Sequence, residues 1–200
     1  MNPMQRWLCV LALVPAMAVA AADVPADSIF RVDAPMTDAQ SRRFVLGDRR
    51  GQPQVVTMFY TSCAFTCPML IDGIKGVRAE LDAGERARLA VTLVTLDPAR
   101  DTPAKLAKTV RERDLDPPAW TLAAPSPRDV PLLAGLLGIR YRALANGDFN
   151  HTAALVLIDA EGRIVARTER VGGKPDPAFV AAVRRALDAA APAKQASTAR

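Results

Sequence analysis

The hydrophobic positions of this chain fall into blocks of two different periods. Residues 54–60 (QVVTMFY) and 88–97 (RLAVTLVTLD) are short apolar runs rich in β-branched side chains, the pattern of strands buried on both faces. Between them, PMLIDGIKGVRAELDA places apolar residues at 70, 71, 74, 77 and 81, one stripe of an amphipathic helix that starts at Pro68. A strand is predicted near Phe44–Leu46, ahead of a glycine- and charge-rich turn. The segment DPARDTP is a turn, with Thr102 as N-cap and Pro103 as first residue of a helix reaching about Arg113. AWTLAA (119–124) reads as a strand and RDVPLLAGLLGI (128–139) as a short helix closed near Gly138, its apolar residues at 132, 133, 136 and 137 facing the core. After the loop ANGDFN, residues 151–168 predict a strand, a Glu-Gly turn and a second strand, and residues 175–190 a last helix. Strands alternating with helices predict an α/β sheet covered on both faces, with no internal repeat, coiled coil or second domain.

The ends of the chain follow other rules. Residues 1–22 carry Arg6, an uncharged run of 16 residues from Trp7 to Ala22, and small residues at its close, the shape of a secretory signal. The run is shorter than the roughly 20 residues of a membrane span, and Pro15 interrupts it. The expectation is cleavage and export, with retention as an N-terminal anchor as the alternative. Residues 23–40 then form a polar lead-in, 41–191 the domain, and 192–200 a disordered tail. Lys and Arg outnumber Asp and Glu by 26 to 21, but the basic residues are scattered along the sequence and only 5% of it is aromatic. This argues against a nucleic-acid partner, which needs clustered cations and stacking groups.

Cys9 would leave with the leader, so the exported chain would hold Cys63 and Cys67, an even pair in an oxidising compartment. A structural disulfide is the plainest reading. Its closed loop is so short that its stabilisation would fall at the bottom of the usual ~2 to 4 kcal/mol, little for a domain of this length. Pro68 fits the first turn of a helix and disfavours helical geometry at Cys67. That predicts Cys67 at the N-cap and Cys63 in the loop before it, where the positive end of the helix favours thiolate. Three intervening residues leave both a disulfide and a shared metal ion open. His151 is the sole histidine. A lone histidine is ordinarily structural or exposed, but this one follows a polar loop and opens an apolar strand, which would place it at a sheet edge. Two thiolates and an imidazole make a three-ligand set suited to copper, or to zinc with an open position. No HExxH-like neighbour supports a zinc hydrolase.

Three ordered segments resemble the Sco (SenC) family: MFYTSCAFTCP for its TxCxxxCP motif, TLDPARDTP for DPxRDTP, and NHTAALVLIDAEG around the histidine. The resemblance implies a thioredoxin-like fold, a central mixed sheet with helices on both faces. It implies Cys63, Cys67 and His151 as ligands of copper, Cu(I) and Cu(II), with Cys63 and Cys67 also able to form a redox-active disulfide. His151 would stand where thiol-only relatives carry a cis-proline. The implied role is a periplasmic, monomeric metallochaperone that hands copper to a cytochrome c oxidase subunit or a similar copper enzyme. The alternative is a thiol-disulfide reductase that keeps a partner's copper-site cysteines reduced, with Cys63 attacking and an external thiol reductant restoring the pair. Asn150 departs from the Asp that often precedes the histidine, and Asp148 is the nearby carboxylate expected to compensate. Asp97, Asp101 and Thr102 are read as turn and cap residues and left out of the site.

Overall fold

The computed structural model describes residues 24–63 and 66–191; the expected leader with Cys9 and the expected tail at 192–200 lie outside the described residues. A 3-10 turn at Ile29–Arg31 precedes strands β1 (Met36–Asp38) and β2 (Arg43–Phe44), and a second, Leu46–Arg49, leads into β3 (Gln54–Phe59). Then follow α1 (Thr66–Ala79), α2 (Ala83–Arg88), β4 (Ala90–Thr95), α3 (Pro103–Glu112), β5 (Trp120–Pro125) and α4 (Val130–Leu136). The chain continues through β6 (Tyr141–Ala143), β7 (Phe149–His151), β8 (Leu155–Ile158), β9 (Ile164–Thr168) and α5 (Pro177–Ala189).

Seven strands form one mixed sheet in the order β2-β1-β5-β4-β3-β8-β9, and β6 and β7 form a separate two-stranded ribbon. The centre is parallel: β3 runs beside β4 from Gln54↔Ala90 to Phe59↔Thr95, and β4 beside β5. Every residue of β3 and β4 is buried, which is why these runs read as continuously apolar rather than alternating. Adjacent side chains of a strand point to opposite faces, and β9 demonstrates the two covering layers. Thr168 Oγ1 donates to Asp176, the N-cap of α5, at 2.8 Å, while the neighbouring Arg167 donates to the carbonyl of Leu137 beyond α4, also at 2.8 Å. α1 shares the α5 side. A Cβ on Gly73 would stand 2.5 Å from the Val171 carbonyl oxygen, so only glycine permits this approach of α1 to the loop ahead of α5.

The predicted strands 54–60, 88–97 and 119–124, the two long helices and the β8–β9 hairpin are present in the structure. The lead-in packs on the domain, and its residues 36–38 enter the sheet as β1, paired with β5. Helix α2 was not predicted, because none of its residues is buried and an exposed helix leaves no apolar stripe. Its legible signal was the capping box Asp82–Glu85, in which Glu85 N–H donates to Asp82 and Asp82 N–H donates to Glu85, both at 2.8 Å.

Candidate metal centre

β3 delivers the chain to the first cysteine at the carboxyl end of the parallel strands, the position at which α/β proteins commonly build sites. Helix α1 begins at Thr66 rather than Pro68, so Cys67 lies inside its first turn and not at the N-cap. The consequence is a different division of labour from the one expected. The Cys67 backbone N–H, one of the helix's unpaired donors, points at the Cys63 sulfur at 3.3 Å. Negative charge at the helix end is therefore offered stabilisation at Cys63. The Cys67 sulfur accepts from the Tyr60 backbone N–H at 3.4 Å but is only 3% exposed. Burial, with smaller contributions from Cys63 and Asp101, pushes its thiol well above the ordinary range, outweighing the Tyr60 hydrogen bond. Neither cysteine is in a disulfide; Cys63 is half-buried and Cys67 buried.

His151 closes β7 of the small ribbon, opposite Tyr141 of β6; the apolar strand it was expected to open begins four residues later, at Leu155. The ribbon folds over the sheet so that one ligand atom from each of Cys63, Cys67 and His151 lies within 4.8 Å of the others. His151 Nδ1 lies 3.1 Å from the Thr152 carbonyl oxygen. A carbonyl can only accept, so Nδ1 carries the proton and Nε2 presents its lone pair. Nε2 is buried and has no hydrogen-bond partner among the described residues. Burial, partly offset by the Thr152 hydrogen bond, holds the imidazole pKa below its ordinary 6.5. Neutral imidazole and soft sulfur are the donor set of copper and zinc. Donors about 2.0 to 2.3 Å from one ion sit roughly 3.5 to 4 Å apart, so a small inward movement closes the set. The expected compensation by Asp148 is not what the ring uses: the carboxylate accepts from Asn146 Nδ2 at 2.7 Å, and the ring's partner is the Thr152 backbone.

Three residues outside the predicted set tie the halves of the site together. Tyr60, directly after β3, stacks edge-on with Phe149 at 5.3 Å and His151 at 6.0 Å between ring centroids. Its hydroxyl lies 3.3 Å from the Phe149 carbonyl oxygen. Arg100 pairs with Asp97 and donates to the Gly147 carbonyl at the tip of the β6–β7 ribbon. Asp101, 1% exposed, accepts from the Thr61 backbone N–H at 3.0 Å and from the hydroxyls of Thr61 and Thr95. Thr102 caps α3 as predicted, accepting from Lys105 N–H. The DPARDTP segment is thus more than a turn: it braces the cysteine loop with Asp101 and the histidine ribbon with Arg100. The presence of two aspartates and an arginine in one tight turn was the available signal.

The SCO1/SenC family model matches residues 33–188. Among solved structures, copper-bound ScoI of Bradyrhizobium japonicum aligns with a TM-score of 0.64 at 22% identity, covering 76% of this chain and 96% of that one. Copper-bound yeast Sco1 aligns at 0.63 and 18% identity, covering 84% and 93%. A SCO1/SenC family lipoprotein from Bacillus anthracis aligns at 0.69 and 18%, covering 78% and 94%. These likenesses establish the thioredoxin-like Sco fold. A curated Stutzerimonas stutzeri protein, named as a candidate copper-binding protein, is 30% identical over 71 residues, 36% of this chain and 35% of its own length, so the match spans about a third of that relative.

Proposed function

Since the chain belongs to the SCO1/SenC family, we propose that it is an exported metallochaperone that holds Cu(I) or Cu(II) through Cys63, Cys67 and His151 and delivers it to a copper-accepting protein such as a cytochrome c oxidase subunit. The observation that carries this reading is the buried Nε2 of His151, without a hydrogen-bond partner among the described residues, beside the sulfurs of Cys63 and Cys67. An orphaned buried nitrogen is unfavourable by about 1 to 3 kcal/mol, and a bound ion removes that penalty. Two thiolates and one imidazole give Cu(I) a trigonal site; Cu(II) adds a weak fourth group or water. Loading displaces the thiol protons. Delivery exchanges these ligands one at a time for those of the partner, with the more exposed Cys63 released before the buried Cys67. Residues 1–22 act as a removed leader, and the mature protein works as a monomer in the periplasm. Among the described residues no helix is long and apolar enough to cross a membrane.

The unequal burial of the two thiols also favours a second activity, reduction of a partner's disulfide. Cys63 thiolate attacks one partner sulfur, forming a mixed disulfide and expelling the other as thiolate. Cys67 then loses its proton and attacks Cys63, closing the intramolecular bridge and releasing the second partner thiol. The bridge consumes both sulfur ligands, so the oxidised protein does not bind copper, and an external dithiol must restore it.

Anaerobic reconstitution of the reduced protein with copper, followed by absorption and EPR spectroscopy, tests the proposal. The expected result is a one-to-one Cu(II) complex with thiolate charge-transfer bands and a nitrogen coupling that His151→Ala removes. A reduced protein that retains no copper, or a His151→Ala variant with unchanged spectra, overturns the ligand assignment.

A further inference from the structure

At the opposite end of the parallel strands from the cysteines, the fold gathers charges that the sequence scatters. A recess of about 880 Å³ is lined by Arg42, Arg43, Arg49, Arg50, Arg78 and Arg86, with Phe44, Pro117 and Pro118 among its apolar walls. The six arginines come from the β1–β2 segment, the 3-10 turn before β3, the end of α1, and α2, spanning 44 positions of sequence. Three aspartates, Asp38, Asp48 and Asp116, also line the recess, leaving an excess of positive charge.

The acids offset only part of this charge: Asp38 pairs with Arg42 and Asp116 opposes Arg78, while Asp48 caps a turn. Asp38 Oδ1 accepts from the backbone N–H groups of Gln40 and Arg42, at 2.9 and 2.8 Å, and its Oδ2 from Arg42 Nε at 2.9 Å. Asp48 accepts from the Val45 N–H at 2.9 Å as a turn cap. Several guanidiniums are held by neutral acceptors, which fix their position without cancelling their charge. Arg49 donates to the Thr121 hydroxyl and lies 6.0 Å from the Phe44 ring centroid. Arg78 donates to the Leu89 carbonyl at 3.0 Å and Arg86 to that of Leu81. The guanidiniums of Arg49 and Arg78 are destabilised first by burial and next by a neighbouring arginine, Arg42 and Arg86 respectively, with Asp38 and Asp116 opposing. Convergent like charges in a concave, partly dry setting focus a positive potential.

We propose that this recess is a binding site for a phosphate-bearing polyanion. Planar guanidinium forks match phosphoryl oxygens two at a time, and several of them require a ligand with more than one negative charge. The volume lies in the range of small-ligand sites, roughly 300 to 1,000 Å³, so the occupant is a compact group rather than a protein face. The chemistry is shared by a soluble di- or polyphosphate and by the headgroup of an anionic phospholipid. The site lies at the other end of the strands from the cysteines, so its occupation is independent of copper.

Titration calorimetry with pyrophosphate at low and high salt, and co-sedimentation with phosphatidylcholine vesicles with and without the diphosphate lipid cardiolipin, test this on the full reduced protein. Expected is saturable pyrophosphate binding that weakens with salt and falls about tenfold or more in Arg43→Ser/Arg86→Ser, with copper loading unchanged. If loss of Arg86 lowers stability, Arg43→Ser/Arg50→Ser, both exposed positions, replaces it. Pyrophosphate binding without vesicle retention assigns a soluble phosphate compound. Retention on cardiolipin vesicles that pyrophosphate displaces assigns a headgroup. Absence of both, or equal affinity in the charge-depleted variants, overturns the site. Because copper loading is read separately, failure here is distinguishable from failure of the proposed copper chemistry.

Discussion

The sulfur half and the imidazole half of the metal centre are built in contrasting ways. Cys67 belongs to a helix whose Leu70, Ile71, Ile74 and Val77 are all buried, each burial contributing about 1.5 to 3 kcal/mol, and its sulfur is anchored to the end of a central strand. His151 belongs to a ribbon of two three-residue strands that, among the described residues, pair only with each other. A two-stranded ribbon alone is marginal in water, so its position depends on Tyr60, Arg100 and a few side-chain contacts. The difference teaches that one half is fixed by the core and the other by local braces, which makes the imidazole the part most readily opened. That division suits a site that must release its ion.

The contrast can be broken first at the sulfurs. Cys67→Ser should reduce Cu(I) affinity by more than the ~10- to 100-fold typical of losing an outer-shell group, measured by competition with a chromophoric Cu(I) chelator. Retention at parental affinity would remove the rigid half from the site. His151→Ala should weaken copper by about 100-fold while leaving the rate of disulfide reduction within about twofold, since the thiols keep their own supports. Arg100→Ala should weaken it by about tenfold through the ribbon alone. Faster amide exchange confined to residues 141–151 of the metal-free protein, with global stability changed by less than about 1 kcal/mol, checks this; uniform acceleration across β3 and α1 would contradict it.

Two smaller effects sharpen the comparison. Iodoacetamide should modify Cys63 before Cys67 in the metal-free protein, because Cys67 is buried and its thiol is held protonated; peptide mass spectrometry after short exposures reads the order. For His151 the folded pKa lies below 6.5. As pH falls through about 6.5 the unfolded chain takes up the proton first, so stability declines until the folded value is passed and then levels. Denaturant midpoints across that window should fall by less in His151→Ala than in the parent.

Much of the frame was legible because its signals are local. Buried parallel strands announce themselves as apolar runs, α1 as a stripe, and α3 through Thr102 and Pro103. The two cysteines were visible from their spacing, and His151 from the motif around it. Cys67 was placed two helix positions too early, at the N-cap, because Pro68 suits the first turn without marking which of its residues comes first. The ribbon β6–β7 was missed because its strands are three residues long with no buried residue, below the length at which alternation can be read. Asp101 was taken for turn chemistry and Arg100 was given no role because their partners, Thr61 and Gly147, are distant in sequence.

By itself, the sequence determined the order of the longer strands and helices and the residue types able to hold a soft metal, since each depends on neighbours within a turn or a strand. Tertiary structure alone decided which cysteine meets the helix N–H, that Nε2 of His151 is buried without a hydrogen-bond partner among the described residues, that Asp101 and Arg100 brace the two halves, and that six dispersed arginines face one recess. Those outcomes depend on contacts between segments far apart in the chain, and only packing of the whole sheet brings such segments together.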